Sequence, residues 1–266
     1  MRVVQVVAHR GSSAAHAEHT LAAYELALTE GADALECDVR LTRDGVLVCV
    51  HDRRVDRTSD GRGVVSTLEL AELAELDFAS WKAHHEERRS GDGWGESDLE
   101  RGRVLTLERL LQLAIEHASV QLHVETKHPT RYGGLVERAL VDLLERYEVA
   151  GRLSPSASRV TVMSFAPTSL RRVHSLAPLL PTILLLPRLP PRYRDGWLPT
   201  RVAITGPSLS LLRNHPGYVE RAQAAGHRVH VWTVDACEDI DYVLGLGVDA
   251  VISNYPLRVL QRLGRA

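Results

Sequence analysis

The sequence predicts a parallel α/β barrel, and three observations carry that prediction. About eight short β-branched runs alternate with longer helical patterns along 266 residues. Chemically capable side chains recur just where those runs end. The Gly-rich turn of a doubly wound sheet is missing, since nothing matches G-x-G-x-x-G or G-x-x-x-x-G-K-[ST].

Taken in order, residues 3–8 are a buried strand by composition. "HTLAAYELALTEG" then places Leu21, Tyr24 and Leu28 at helical spacing, with Gly31 as the stop. "ADALECDV" is the next strand, and "TRDG" turns tightly into "VLVCVHD" as a hairpin. Residues 53–104 break the rhythm and read as a surface insertion within one domain. They contain a short helix over 67–76 that Thr67 is expected to cap, and a polar Gly-rich stretch from Trp81 onward. "LTLERLLQLAIEHA" resumes as a helix with Thr106 as its cap. The strands "SVQLHVET", "RVTVMSF", "TILLL", "RVAITG", "RVHVWTV" and "VDAVIS" follow. Helices "RYGGLVERALVDLLERY", "SLRRVHSLAP", "PGYVERAQAAGH" and "EDIDYVLGLG" lie between them, while Pro-rich 187–200 reads as a loop.

Composition narrows the function. Net charge is −2, so no global field draws the chain to nucleic acid or anionic lipid. Arg far outnumbers Lys, so a single Arg says little about phosphate. Three scattered cysteines, Cys37, Cys49 and Cys237, suit neither a disulfide framework nor a cysteine zinc site. The N-terminal apolar run is too short for a signal-peptide core, and no window approaches a membrane span. A reducing, cytoplasmic setting is expected.

In such a barrel the C-terminal strand ends build the active site. Here they carry His9-Arg10-Gly11, Glu36-Cys37-Asp38, His51-Asp52 and Glu125-Thr126-Lys127, with Trp232 near the end of a later strand. Side chains at i and i+2 share a face, so Glu36 and Asp38 point together, as do Glu125 and Lys127. Two carboxylates plus a third from another strand make an all-oxygen site, which Mg²⁺ or Ca²⁺ prefers. His9 and His51 flank it as candidate acid and base, and Arg10 is placed to clamp an anionic oxygen. Each group alone has an ordinary reading as surface charge or loop polarity. Their coincidence at four strand ends, each behind apolar residues, favours a site. His16 reads as loop polarity. His84, His85, Glu86 and Glu87 read as a solvated run, and Cys37 and Cys49 as buried thiols. No H-E-x-x-H or G-x-S-x-G motif is present.

"VVAHRG", the block from "TLAAYELALTEGADALECDVR" to "LVCVHD", "RTSDGRG", "HVETK", "VHVWTV" and "GVDAVISNYP" together resemble the glycerophosphodiester phosphodiesterases. The resemblance runs nearly the whole chain. It implies a (β/α)₈ TIM barrel with a small insertion after the second β/α unit. It also implies a metal-dependent phosphodiesterase that releases an alcohol and glycerol 3-phosphate, with a small-molecule glycerophosphodiester as partner. It matches His9 and His51 to the acid–base histidines, and Glu36, Asp38 and Glu125 to the ligands of a divalent metal. Arg10 and Lys127 fall at the phosphate and Trp232 in the site wall. Two positions depart from the family pattern. His19 stands where an Asn usually faces the site, and Asn254 where an Asp is usual; both are expected to affect substrate-pocket details. Rival readings are a lyase-type phospholipase D resembling the sphingomyelinase D enzymes, and a non-catalytic barrel that binds phosphodiesters.

Overall fold

The computed structural model describes residues 3–83, 102–130, 133–149 and 158–266. The run from His84 to Glu87 lies outside them. Eight parallel strands close on themselves: β1 (Gln5–His9), β2 (Ala34–Leu41), β4 (Gln121–Thr126), β5 (Val160–Ser164), β6 (Thr182–Leu186), β7 (Ile204–Pro207), β8 (Arg228–Val231) and β9 (Ala250–Ser253). Pairing of β1 with both β2 and β9 completes the ring. The short β3 (Leu47–Cys49) runs antiparallel to the end of β2, as the hairpin turn requires.

Closure sorts side chains by parity. Val7, Ala34, Met163, Ile183, Leu185, Ile204, Ala250 and Ile252 share one cluster that fills the barrel. Their strand neighbours face outward into the helix layer. Ala8, Leu35, Cys37, Val39, Leu122 and Val124 belong to one outer cluster, and Val6, Leu184, Val229 and Val251 to another. Both faces of the barrel strands are therefore buried, which explains why these runs are so apolar.

The helices follow from local chemistry. Helix α1 (Leu21–Thr29) begins where the Thr20 hydroxyl accepts from Ala23 N, and α4 (Leu107–Glu116) where Thr106 accepts from Arg109 N. Further helices are α5 (Leu135–Arg146), α6 (Pro167–Leu176), α8 (Tyr218–Ala224) and α9 (Cys237–Gly245). The link from β6 to β7 holds only a 3₁₀ turn at Pro191–Tyr193, because its prolines remove backbone donors. Outside the insertion, two short helices go beyond the sequence reading: α7 (Leu209–Asn214), capped by Ser208, and α10 (Pro256–Arg262), with proline in its first turn.

Between β3 and α4 lie a 3₁₀ turn at Val65–Thr67 and the short helices α2 (Leu70–Ala74) and α3 (Ser80–Ala83). Thr67 does not cap α2. Glu69 does, in a reciprocal box with Glu72, because the 3₁₀ turn uses up the preceding residues. Val48, Val50, Val55, Val65, Leu73 and Phe78 form a small apolar cluster that ties this segment to the hairpin.

Candidate active site

The sequence Ala8-His9-Arg10-Gly11 turns sharply as it leaves β1. Arg10 adopts φ 57° and Gly11 φ +80°. A Cβ on Gly11 would meet the Ala23 backbone carbon at 2.6 Å, so glycine lets α1 pack against the strand end. The turn aims Arg10 back over the barrel mouth.

Glu36 and Asp38 from β2 and Glu125 from β4 converge there. All three are buried, and one oxygen from each lies within 4.8 Å of the others. Burial and the Asp38 charge push the Glu36 carboxyl well above its usual range, and raise Glu125 to about 8. Burial also works against Asp38 ionising. The His19 hydrogen bond and the Lys127 and Arg10 charges outweigh it and hold Asp38 well below the usual range.

Lys127 Nζ stands 2.8 Å from Asp38 Oδ1 and 2.7 Å from Glu125 Oε1. Arg10 Nε stands 3.0 Å from Asp38 Oδ2. These are charge contacts without hydrogen-bond alignment. Asp38 Oδ1, Glu125 Oε1 and Arg10 Nε are all buried with no directed partner. Glu36 Oε2 accepts from Arg10 N at 3.1 Å. Three converging carboxylates, two of them with an oxygen no donor is aimed at, fit a hard divalent cation, which would let all three ionise together.

His19 sits behind this group. It is buried, its Nε2 pairs with Asp38 Oδ2 at 3.0 Å, and its Nδ1 meets the Tyr24 hydroxyl at 2.9 Å. That hydroxyl also donates to the Glu36 carbonyl at 3.0 Å. His19 was expected to face the pocket; it instead backs Asp38, because its φ of 63° turns the chain inward before α1.

The two candidate acid–base histidines sit in different environments. His9 Nδ1 lies 2.7 Å from Asn254 Oδ1, and its Nε2 lies 4.0 Å from Glu36 Oε2. Burial and the neighbouring Arg10 charge hold the His9 imidazolium down at about 3. His51 is more open and pairs directly with a carboxylate, Nδ1 to Asp52 Oδ1 at 2.7 Å. Arg57 holds Asp52 from the other side at 2.6 Å and reaches Glu18 at 2.7 Å. Glu18 in turn pairs with Arg10 at 3.0 Å. A continuous ionic chain therefore runs from His51 to Arg10.

These groups open on a cleft of about 400 Å³ lined by His9, Arg10, Glu36, His51, Glu125 and Lys127 on one side. Met163, Phe165, Leu185, Trp232 and Ile252 form the other. Trp232 Nε1 donates to the Gly206 carbonyl at 2.6 Å, which fixes the ring as a wall. Phe165 meets it edge to face at 5.2 Å and is 41% exposed. Phe165, Arg57 and Glu18 join the site without having been assigned to it from the sequence, and Asp52 and Asn254, noted there, gain a partner in His51 and His9. The signal for Asp52 was its place after His51. Phe165 carried one too, at i+2 from Met163 on the end of β5.

A barrel rim with an acidic cluster for a hard cation, basic groups for an oxyanion and two imidazoles has the equipment of a phosphoryl-handling enzyme. The glycerophosphoryl diester phosphodiesterase family matches residues 9–258, and the chain belongs to that family of enzymes. It is 50% identical over 256 residues to a Mycobacterium tuberculosis protein named probable glycerophosphodiester phosphodiesterase 1, covering 95% of this chain and 90% of that one. A Bacillus subtilis glycerophosphodiester phosphodiesterase is 32% identical over 95% of this chain and 84% of its own length. Among solved structures, an Oleispira antarctica phosphodiesterase in complex with its product sn-glycerol-3-phosphate superposes with a TM-score of 0.82. The identity is 26%, covering 98% of this chain and 96% of that one.

Proposed function

We propose that the protein hydrolyses glycerophosphodiesters to an alcohol and glycerol 3-phosphate, with a divalent cation as cofactor and His9 and His51 as base and acid. The observation that carries this reading is the convergence of Glu36, Asp38 and Glu125 on a cleft that both histidines line, with an Asp38 and a Glu125 oxygen that no donor is aimed at. A cation bound there supplies positive charge to a phosphate oxygen. Arg10 and Lys127 add charge from the same side and orient the diester.

His9 suits the base. Its Nδ1 is engaged by Asn254, its Nε2 faces the cleft, and the neutral form is favoured. It removes a proton from the attacking hydroxyl, either water or the neighbouring glycerol hydroxyl. The second route passes through a cyclic phosphate. His51 suits the acid: burial lowers its proton affinity, but it is the more open of the two imidazoles and the Asp52 carboxylate works to keep its imidazolium, so it protonates the departing alkoxide. Trp232 and Phe165 offer apolar faces to the glycerol carbons. His19 supports Asp38 rather than touching the diester. The free cysteines suit a reducing, cytoplasmic setting. Among the described residues no helix is long and apolar enough to cross a membrane.

The test is a panel of glycerophosphodiesters with Mg²⁺, Ca²⁺ or Mn²⁺, reading glycerol 3-phosphate release. EDTA should abolish turnover, and the metal should restore it. Activity untouched by chelation removes the metal from the reading. Turnover confined to lysophosphatidylcholine moves the enzyme to the lysolipid class.

A further inference from the structure

The partner that orients His9 is an amide, and an amide can present either its oxygen or its nitrogen. Which one His9 meets decides which ring nitrogen carries the proton. Asn254 Oδ1 lies 2.7 Å from His9 Nδ1. On its other side, Asn254 Nδ2 donates to Asp235 Oδ2 at 2.7 Å. An ionised carboxylate only accepts, so this bond forbids the amide from turning over. Asp235 is itself held in place, because its Oδ1 accepts from Asn254 N at 2.9 Å and from Ser253 Oγ at 3.0 Å. The remaining neighbour is neutral in the matter. Ser13 Oγ is placed to donate to Asn254 Oδ1 at 2.8 Å or to the His9 carbonyl at 2.7 Å, and a hydroxyl that donates to that carbonyl would equally accept from an amide nitrogen, so it does not fix the amide's orientation.

We infer that Asp235 is a positioning residue that sets the tautomer of His9 through Asn254. With Asn254 Oδ1 held toward the ring, Nδ1 carries the hydrogen and Nε2 is left bare toward the cleft. The inference rests on the reading of His9 as base. It also explains how this chain keeps its two histidines distinct. His51 touches a carboxylate directly. His9 is separated from its carboxylate by a neutral amide, which orients the ring while stabilising its charged form less than a direct carboxylate does.

Asp235→Asn removes the constraint while preserving size. The introduced amide can keep its oxygen toward Asn254 N and Ser253, and then turns its nitrogen toward the Asn254 side chain. The Asn254 amide relieves the clash by flipping, and its Nδ2 faces His9 Nδ1. The ring then holds its hydrogen on Nε2 and cannot act as base there. A wrongly placed proton on a catalytic imidazole costs up to about 10⁴ in kcat. We expect kcat to fall at least about tenfold in Asp235→Asn, with KM changed less than about twofold. The double variant Asp235→Asn/Asn254→Asp should recover most of that loss. The carboxylate introduced at position 254 accepts directly from His9 Nδ1–H, and the amide introduced at position 235 donates to it.

The tautomer is read independently of turnover by ¹⁵N NMR of histidine-labelled full-length protein, with His9→Ala assigning the signal. The expected result is Nδ1–H in the wild type, Nε2–H in Asp235→Asn, and Nδ1–H again in the double variant. A wild-type His9 protonated on Nε2, or an Asp235→Asn signal identical to wild type, overturns the inference. If the tautomer changes as expected while kcat does not, the relay stands and the reading of His9 as base fails.

Discussion

The two arcs of the barrel rim are built on opposite principles. Along β1, β2 and β4 the inward residues at the rim are His9, Glu36, Asp38, Glu125 and Lys127, a dense polar group in which the three carboxylates and the lysine are buried. Across the cleft, β5, β6 and β9 contribute Met163, Leu185 and Ile252, with Phe165 and Trp232 above them. Both arcs hang on the same parallel ladder and the same outer helices. The apolar arc stabilises the fold by burial, at roughly 25 cal/mol per Å² of apolar surface. The charged arc does the opposite. Glu36 and Glu125, whose proton affinity stays raised even with Lys127 and Arg10 nearby, cost stability when ionised until further positive charge arrives. The barrel therefore tolerates a strained polar half because the other half, and the helix layer, supply the cohesion.

The largest expected effect lies on the charged arc. His51→Ala or His9→Ala should lower kcat by about 10²–10⁴ with the thermal midpoint little changed. A fully active His51→Ala enzyme would break the division into a chemical and a structural arc. Next comes the apolar arc. Leu185→Ala should cost about 2–5 kcal/mol of stability in denaturant titrations while the metal requirement persists. Equal loss from Leu185→Ala and His51→Ala in both measurements would erase the contrast.

A third test uses pH. The Glu125 carboxyl titrates at about 8 in the folded, metal-free protein and near its ordinary value when unfolded. Between those values the folded state binds more protons, so stability in EDTA falls as pH rises from about 4.5 to about 8. Added Mg²⁺ or Ca²⁺ should raise the thermal midpoint more at about pH 8 than at about pH 5, because the ligands must be deprotonated. Glu125→Gln should flatten the decline in EDTA and remove much of the metal response. A metal response unchanged in Glu125→Gln excludes Glu125 as a ligand.

The smallest effect is expected at His19. His19→Asn keeps a polar group beside Asp38 but loses one of the bonds that hold it. Metal affinity should weaken by about 10- to 100-fold at most, with KM for the diester nearly unchanged at saturating metal. A large KM effect would return His19 to the substrate pocket.

Much of the barrel was legible because its signals are local. Period-two alternation placed Glu36 and Asp38 on one face, and Glu125 with Lys127, as the closed sheet has them. Thr106 was readable as a cap because capping depends on a few neighbouring residues. Thr67 misled because a 3₁₀ turn, with a weaker signature than an α-helix, takes that position. The bond from His19 to Asp38 was not readable, because the residue's direction depends on a left-handed backbone angle that a histidine rarely adopts.

What the sequence determined alone was the alternation of strands and helices, the apolar parity of each strand, and which charged residues stand at strand ends. These follow from periodicity within a few residues. Only the tertiary structure decided which of those residues meet. His9 and Asn254 are 245 positions apart, and barrel closure between β1 and β9 brings them to 2.7 Å. The ionic chain from His51 through Asp52, Arg57 and Glu18 to Arg10 likewise joins the hairpin to the β1 turn. Parity fixes the direction a side chain faces, but its partner across the barrel depends on closure, register and loop path, which are properties of the whole chain.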